Sequence, residues 1–329
     1  MGTWTEIIHL IETHHRFVIT SHVNPDGDAI GSELGLAHHL LALGKEVAVF
    51  NSDATPKAYR FLDGIRRVRT FSKKRYRGRL ERADVIFVLD ASGGWDRLGR
   101  IGKWLAKTRA VKVCIDHHAD PVDFVDVAVV DPAAAATAEL IFELIRAMEG
   151  EISQAIADAL YVAILTDTGS FRFPKTSPRT HHIAGQLMLA GADPGTLYRK
   201  IYNQYPLALL RLKGRVMDSL QVTAGGQLAY AALEQATLKA YGVAQRDLDG
   251  FAGLGQRVAG VRLNLLFVET AKRQVKVSLR SDGSLAINDL AARWGGGGHP
   301  SAAGAIVAGT LDEVVPRLVG EARALLARG

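Results

Sequence analysis

Four short segments carry carboxylates and imidazoles at spacings that suit chemistry on an anionic substrate. His22, Asp26 and Asp28 stand close together, and Asp90 follows the apolar run Ile86, Phe87, Val88, Leu89. Asp116, His117 and His118 are consecutive, and Asp167 lies between Thr166 and Thr168. If these segments meet, their carboxylates repel one another. Either several stay protonated, which is costly near pH 7, or cations sit among them. Four aspartates (Asp26, Asp28, Asp90, Asp167) with two histidines (His22, His117) suit a pair of divalent metals. Oxygen-rich ligation with some imidazole favours Mn2+, with Mg2+ as the alternative, over a thiolate zinc site. The chain has a single cysteine, Cys114, in an apolar run, which reads as a buried thiol and excludes an internal disulfide.

The elements around these residues explain how they meet. Apolar, β-branched runs over 17–20, 46–50, 84–89 and 111–115 read as strands, with a helix over 28–43 between the first two. Helical patterns follow over 137–148, 153–165 and 178–189. Such alternation predicts an α/β fold whose N-terminal domain has a parallel sheet covered by helices on both faces. In such a sheet the carboxyl ends of the strands share one edge, where ligands bind. His22, Asp90 and Asp116 each sit just past a strand, so three segments converge there. Asp167 follows a helix instead, and only the fold can bring it in. A helical stretch over 194–221 reads as a connector. Strand patterns over 228–233, 261–269 and 274–279, a helix over 288–294 and a closing helix over 311–326 predict a smaller mixed α/β C-terminal domain.

Each residue also has a plainer reading. Asp28 taken alone is first a helix N-cap, and Asn24-Pro25-Asp26-Gly27 alone is a turn. The pairs His14-His15, His38-His39 and His181-His182 lack matching carboxylates and read as surface or helix-face residues. The loop 24–35 has neither the sixth-position Gly nor the twelfth-position Glu of a calcium loop. A weak dinucleotide-like pattern over 253–260 is not set between a strand and its helix. The run Lys73-Lys74-Arg75-Tyr76-Arg77 reads as a solvated loop. The convergence of four segments outweighs these local readings.

Composition bounds the rest. The 329 residues carry 40 Lys and Arg against 34 Asp and Glu, a net charge of +6 at pH 7. This mild excess suits an anionic substrate without demanding one. No apolar run reaches the ~20 residues that span a membrane. The stretch 1–6 has no signal-like core, and its residues after Gly2 do not form a myristoylation site. The chain therefore reads as cytoplasmic.

These residues resemble the DHH phosphoesterase superfamily, with a DHH domain followed by a DHHA1 domain, and within it the bacterial nanoRNase/pAp phosphatases. His22 to Asp28 matches the first motif, Asp90 the second, Asp116-His117-His118 the namesake and Asp167 the fourth. The resemblance implies that His22 and Asp26 hold one metal, Asp28, His117 and Asp167 the other, and that Asp90 bridges both. It implies further that His118 faces the substrate phosphate and that Asp116 orients a neighbouring imidazole. Arg97 falls in a stretch the family often shows. Gly296-Gly297-Gly298-His299 is the implied substrate loop, and Arg280 the implied phosphate contact. Consecutive glycines let backbone N–H groups approach an anion, and Arg280 offers a planar fork to a terminal phosphate.

The expected organisation is a catalytic domain over 1–192, the connector over 193–224 and a substrate domain over 225–329. The expected reaction is in-line attack of water on phosphorus assisted by two metals. Its substrates are short oligonucleotides or small nucleotide phosphates, since the chain has no room for a long basic, aromatic groove. A cyclic or linear dinucleotide phosphodiesterase is the nearest rival. A non-catalytic nucleotide-binding or RNA-binding protein is the rival of another class. The expected assembly is a monomer or homodimer.

Overall fold

The computed structural model describes residues 4–64, 67–119, 121–248 and 250–328. Residues 1–3, the start of the stretch read above for a signal or lipid site, lie outside that description. The chain divides into two compact units, Met1–Gln204 and Tyr205–Gly329.

In the first unit, in chain order, stand α1 (Trp4–Thr13), β1 (Arg16–Thr20), α2 (Gly27–Ala42), β2 (Glu46–Asn51), β3 (Val68–Thr70), α3 (Lys73–Glu81), β4 (Val85–Leu89), α4 (Gly102–Leu105), β5 (Val111–Asp116) and β6 (Val127–Val130). Four helices complete it: α5 (Thr137–Ala147), α6 (Gln154–Asp167), α7 (Pro178–Leu189) and α8 (Pro194–Tyr202). The six strands form one parallel sheet in the order β3-β2-β1-β4-β5-β6. Every residue of β4 is buried, as a strand covered on both faces requires. Alternate residues divide between two cores. Phe17, Ile19, Phe87, Leu89 and Ile115 pack with α1, α2, α5 and α6, whereas Val18, Ile86, Val88 and Cys114 pack with Leu80 of α3 and Leu105 of α4. Cys114 is therefore sealed in, and burial holds its thiol protonated.

The strand order reverses direction between β1 and β4. At that switch point the loops leaving the two strands run to opposite sides and open a crevice at the carboxyl edge. One side of it is built by α2 and α6, which approach unusually closely. A Cβ on Gly27 would stand 2.2 Å from Thr166 Oγ1, one on Gly31 2.3 Å from the Ala159 carbonyl, and one on Gly35 2.5 Å from Leu160 Cδ2. Glycine every fourth residue thus draws the start of α2, carrying Asp28, toward the end of α6, carrying Asp167.

The second unit contains α9 (Leu207–Asp218), β7 (Gln221–Thr223), β8 (Leu228–Leu233), α10 (Gln235–Ala240), β9 (Leu263–Ala271), β10 (Gln274–Ser281), α11 (Asn288–Arg293), β11 (Gly297–His299), β12 (Ala302–Ala308) and α12 (Leu311–Leu326). Its mixed sheet runs β11-β12-β10-β9-β8-β7, with only β8 and β9 parallel. The side chains of Leu265, Phe267, Val275, Val277 and Leu279 pack with Val314, Leu318 and Ala322 of α12. Of the stretch 193–224, α8 falls in the first unit and α9 with β7 in the second.

One local reading is corrected, and one strand was not foreseen. The run from Lys73 to Arg77 is helix, not loop: it opens α3, whose sole buried residue is Leu80, so no apolar period announced it. The small-residue stretch after His299 opens the strand β12, where Ala302, Ala303, Gly304 and Ala305 precede the β-branched pair Ile306-Val307. No helix among the described residues is long and apolar enough to cross a membrane.

Candidate metal centre

β1 ends at Thr20, and the chain then turns through His22 to Asp26 before entering α2. Asp26 is the N-cap of that helix: its Oδ1 accepts from the backbone N–H groups of Asp28 and Ala29 at 3.0 and 3.1 Å. The capping role expected of Asp28 therefore belongs to Asp26. Asp28 lies one residue inside the helix, buried, and is held by other donors. Ser32 Oγ and the Ala138 N–H reach its Oδ1 at 3.0 and 3.1 Å, and the Thr137 N–H reaches its Oδ2 at 2.7 Å. The last two are unpaired N–H groups at the start of α5, a position that favours an anion.

Asp90 follows β4 in a left-handed conformation, with φ of 57°, and is 2% exposed. Its two oxygens face different partners: Oδ2 lies 3.4 Å from His22 Nε2, and Oδ1 lies 3.6 Å from His117 Nε2. Asp26 Oδ2 approaches His22 Nε2 at 3.9 Å, while Asp28 Oδ2 and Asp167 Oδ2 stand 3.8 and 3.3 Å from His117 Nε2. Two sets of donor atoms result, one from His22, Asp26 and Asp90 and one from Asp28, His117 and Asp167, each gathered within 4.8 Å. Asp90 stands between them.

The donor chemistry fits divalent cations. His22 Nδ1 donates to the Val23 carbonyl at 2.8 Å and His117 Nδ1 to the Ala134 carbonyl at 3.2 Å, which leaves both Nε2 lone pairs facing the carboxylates. Without a cation the carboxylates are poorly compensated. Burial first, then the charge of Asp167, pushes Asp28 up to about 7. Burial followed by Asp26 pushes Asp167 up to about 6. Asp90 is raised well above the ordinary range by burial and by Asp28. A cation in each set would offset this repulsion.

Asp116 ends β5, with no exposed surface, and has a different environment. Burial alone would raise it, but the His118 ring at 2.7 Å and the Ser92 N–H at 2.5 Å hold it well below the usual range. It also accepts from the His117 and His118 N–H groups at 2.6 and 3.1 Å. Its hydrogen bond in turn raises His118. His118 is half exposed, with Nδ1 committed to Asp116 and Nε2 left as its free nitrogen. Arg97, exposed in the 3-10 turn Trp95–Leu98, acts on His118 electrostatically and lowers its proton affinity in part. If His118 acts as a proton or hydrogen-bond donor, Asp116→Asn shifts the alkaline limb of kcat/KM to lower pH. The sign follows from the raised His118, whose protonated form survives to higher pH only while Asp116 is charged. An unmoved limb in a pH profile removes Asp116 from this role.

The DHH family, N-terminal domain, matches residues 16–164, and the DHHA1 domain matches residues 225–328. The chain belongs to the DHH family. A Thermus thermophilus protein named bifunctional oligoribonuclease and PAP phosphatase NrnA is 34% identical over 311 residues, covering 94% of this chain and 90% of that protein. A Bacillus subtilis protein of the same name is 29% identical over 308 residues, covering 92% and 93%. The crystal structure of an exopolyphosphatase-related protein from Bacteroides fragilis, 31% identical, superposes with a TM-score of 0.88 over 98% of this chain and 97% of that one.

Within the DHH unit, two contributors escaped the sequence reading. Thr137 donates its hydroxyl to Asp90 Oδ1 at 3.1 Å while its N–H holds Asp28, so one residue braces carboxylates of both sets. Its signal was a threonine after four alanines at a helix start, which reads as ordinary capping. Lys175 donates to the His117 carbonyl at 3.3 Å and lowers Asp167 electrostatically. It follows a turn in which Gly169, Ser170 and Phe171 all have positive φ, a geometry no sequence pattern announced.

In the DHHA1 unit the implied substrate residues fall on one row. His299 on β11 pairs with Ala302 on β12, Ala302 with Arg280 on β10, and Arg280 with Asn264 on β9. Directly paired residues point to the same face, so His299 and Arg280 share a face with one alanine between them. Arg280 lies inside β10 rather than just past the expected strand, and Gly297 and Gly298 form an edge strand rather than an open loop. The glycines are required sterically. A Cβ on Gly296 would meet the Gly304 carbonyl at 2.1 Å, and one on Gly298, whose φ is +141°, would meet the Ala302 carbonyl at 2.5 Å.

Proposed function

We propose that this chain is a metal-dependent hydrolase that cleaves phosphoester bonds in short oligoribonucleotides and in pAp, releasing mononucleotides. The observation that carries the reading is Asp90, whose two oxygens face the two donor sets. The names of the Thermus and Bacillus relatives supply the substrate class.

His22, Asp26 and Asp90 would hold one cation; Asp28, His117 and Asp167, with Asp90, would hold the other. Mn2+ is the proposed resident ion, with Mg2+ as the alternative. A cation pair of this kind lowers the pKa of a water and neutralises phosphoryl oxygens. His118 supplies a hydrogen bond or proton to the phosphate or leaving oxygen, and Asp116 fixes the ring so that Nε2 is the donor. Arg97 adds positive charge on the same side as His118. Water adds to phosphorus as the ester P–O bond breaks, and the leaving oxygen takes up a proton. The catalytic domain is read as 1–192, followed by the 193–224 segment and a substrate domain over 225–329. In that last domain His299, the N–H groups of Gly296, Gly297 and Gly298, and Arg280 hold a second phosphate. The proposal takes the enzyme to be cytoplasmic, acting as a monomer or homodimer without a membrane or a long nucleic acid as partner.

The test is a comparison of rates on pAp, RNAs of two to five nucleotides, pApA and c-di-AMP, each with Mn2+ and with EDTA. Fastest turnover on pAp and the short RNAs, abolished by EDTA, is the expected result. Preference for c-di-AMP or pApA replaces it with the dinucleotide reading, and binding without turnover replaces it with the non-catalytic one.

Arg280 separates positioning from chemistry, because a guanidinium cannot ligate a metal. A charge-assisted contact to a terminal phosphate contributes ~1.5–3 kcal/mol, so Arg280→Ala is expected to lower kcat/KM by about one to two orders of magnitude. A loosely paired surface arginine contributes only ~0–1 kcal/mol. Kinetics on a dinucleotide with and without its terminal phosphate distinguish the two. A large loss confined to the phosphorylated substrate is expected, and equal losses on both remove Arg280 from the site.

A further inference from the structure

A cavity of about 930 Å3 opens in the first unit, and no member of the two donor sets lines it. Its wall carries Lys73, Lys74, Arg100 and Lys103 against one carboxylate, Asp96, with Trp104 as an aromatic surface. No ion pair among the described residues engages any of the four cations. Their placement is nevertheless organised. Lys73 Nζ stands 4.5 Å over the Trp104 ring, and Arg100 is tied to the Ser52 carbonyl by a 2.5 Å hydrogen bond. Like charges gathered in a concavity repel one another unless an anion enters, and a low-dielectric wall strengthens that demand. The volume is that of a site for a small organic ligand.

The cavity is also linked through one segment to the loop that carries His22. Asp96, Gly99 and Arg100 line it, and the segment they belong to holds the loop after β1. Val23 N–H, next to His22, donates to the Arg97 carbonyl at 2.8 Å, and a Cβ on Gly99 would meet Val23 Cγ1 at 2.5 Å. Ser52 Oγ donates to the Leu98 carbonyl at 2.5 Å and accepts from the Ile101 N–H at 3.1 Å, fixing the segment to the end of β2.

We infer that this cavity is a second nucleotide-phosphate site, distinct from the metal centre and from the Arg280 row: the cations take phosphate, and Trp104 packs against the sugar or base. The phosphate has two sources, a free mononucleotide or the far end of a bound oligonucleotide. Both present the same chemistry to Lys73, Lys74, Arg100 and Lys103.

The test uses the full chain carrying Arg280→Ala, so that the second unit does not contribute, with and without the pair Lys73→Glu and Lys103→Glu. The first arm titrates AMP by calorimetry in EDTA. Binding weakened at least about tenfold by the charge reversals assigns the site to free nucleotide. The second arm compares KM on two- and five-nucleotide RNAs with Mn2+. A rise confined to the five-nucleotide RNA assigns the site to the substrate's far end. Identical AMP titrations together with unchanged KM on both RNAs overturn the inference, as does an equal rise on both lengths with unaltered AMP binding. Failure of the hydrolytic reading is seen separately, as absence of Mn2+-dependent turnover in the unsubstituted chain, and leaves the AMP arm decisive for the cavity.

Discussion

Asp90→Ala is expected to lower kcat by about three orders of magnitude or more, equivalent to ~4 kcal/mol of transition-state stabilisation. The size follows from position. Its Oδ2 faces His22 and its Oδ1 faces His117, so on the proposed bridging role the substitution removes a donor of the first set and a ligand shared with the second. It also leaves the Thr137 hydroxyl without its acceptor. Loss of a carboxylate from one set alone, as in Asp26→Ala, removes a single donor and also an N-cap worth ~1 kcal/mol, and a smaller kinetic loss is expected. Measurement at saturating Mn2+, with metal content determined on the same sample, separates lost metal from lost chemistry. A kcat within about tenfold of the parent rules out the bridging position.

Gly31→Val is expected to destabilise the first unit by ~2–3 kcal/mol, at the upper end for overpacking, and to lower its melting temperature by about 5–10 °C. The Cβ would stand 2.3 Å from the Ala159 carbonyl and 2.8 Å from Ala163 Cβ, neither of which can rotate away. The helices must separate, and with them Asp28 at the start of α2 and Asp167 at the end of α6. Weaker Mn2+ binding is expected alongside the stability loss. Gly35→Ala is the comparison with a smaller expected loss, since its Cβ meets the Leu160 side chain and no backbone atom. Calorimetric melting in EDTA, followed by Mn2+ titration, checks both. Equal melting temperatures for Gly31→Val and the parent contradict the close-approach explanation.

The fold was legible where burial dictates residue type. Strand β4 is apolar at every position because both faces are covered, and Asp90 stands out by ending that run. The same logic reaches Asp116 at the end of β5. Asp167 ends a helix, and its proximity to Asp28 depends on three glycines that, taken singly, read only as weak helix formers. Thr137 was illegible because its effect is tertiary: a helix-start threonine looks the same whether its hydroxyl meets solvent or Asp90. The helix α3 and strand β12 were missed for opposite reasons. The first has almost no buried face, and the second opens on four small residues and places alanine at two of its three buried positions, Ala303 and Ala305, with Val307 at the third. Taken alone, Asp28 reads as a helix cap, although the cap is Asp26 and the helix opens at Gly27.

The row that joins His299 to Arg280 has a bearing on how this unit tolerates change. A strand displaced by one residue turns every side chain to the opposite face, and registry is ordinarily protected by the hydrophobic alternation of its partners. Here the paired residues are Gly297 with Gly304, Gly298 with Ala303 and His299 with Ala302, which carry little such information. Alignment rests instead on exclusion, since the closest approaches of Gly296 and Gly298 to the facing carbonyls admit only hydrogen at those two places. The placement of His299 beside Arg280 therefore hangs on two missing side chains: a methyl group added at either glycine would re-phase the edge strand and turn His299 away from Arg280.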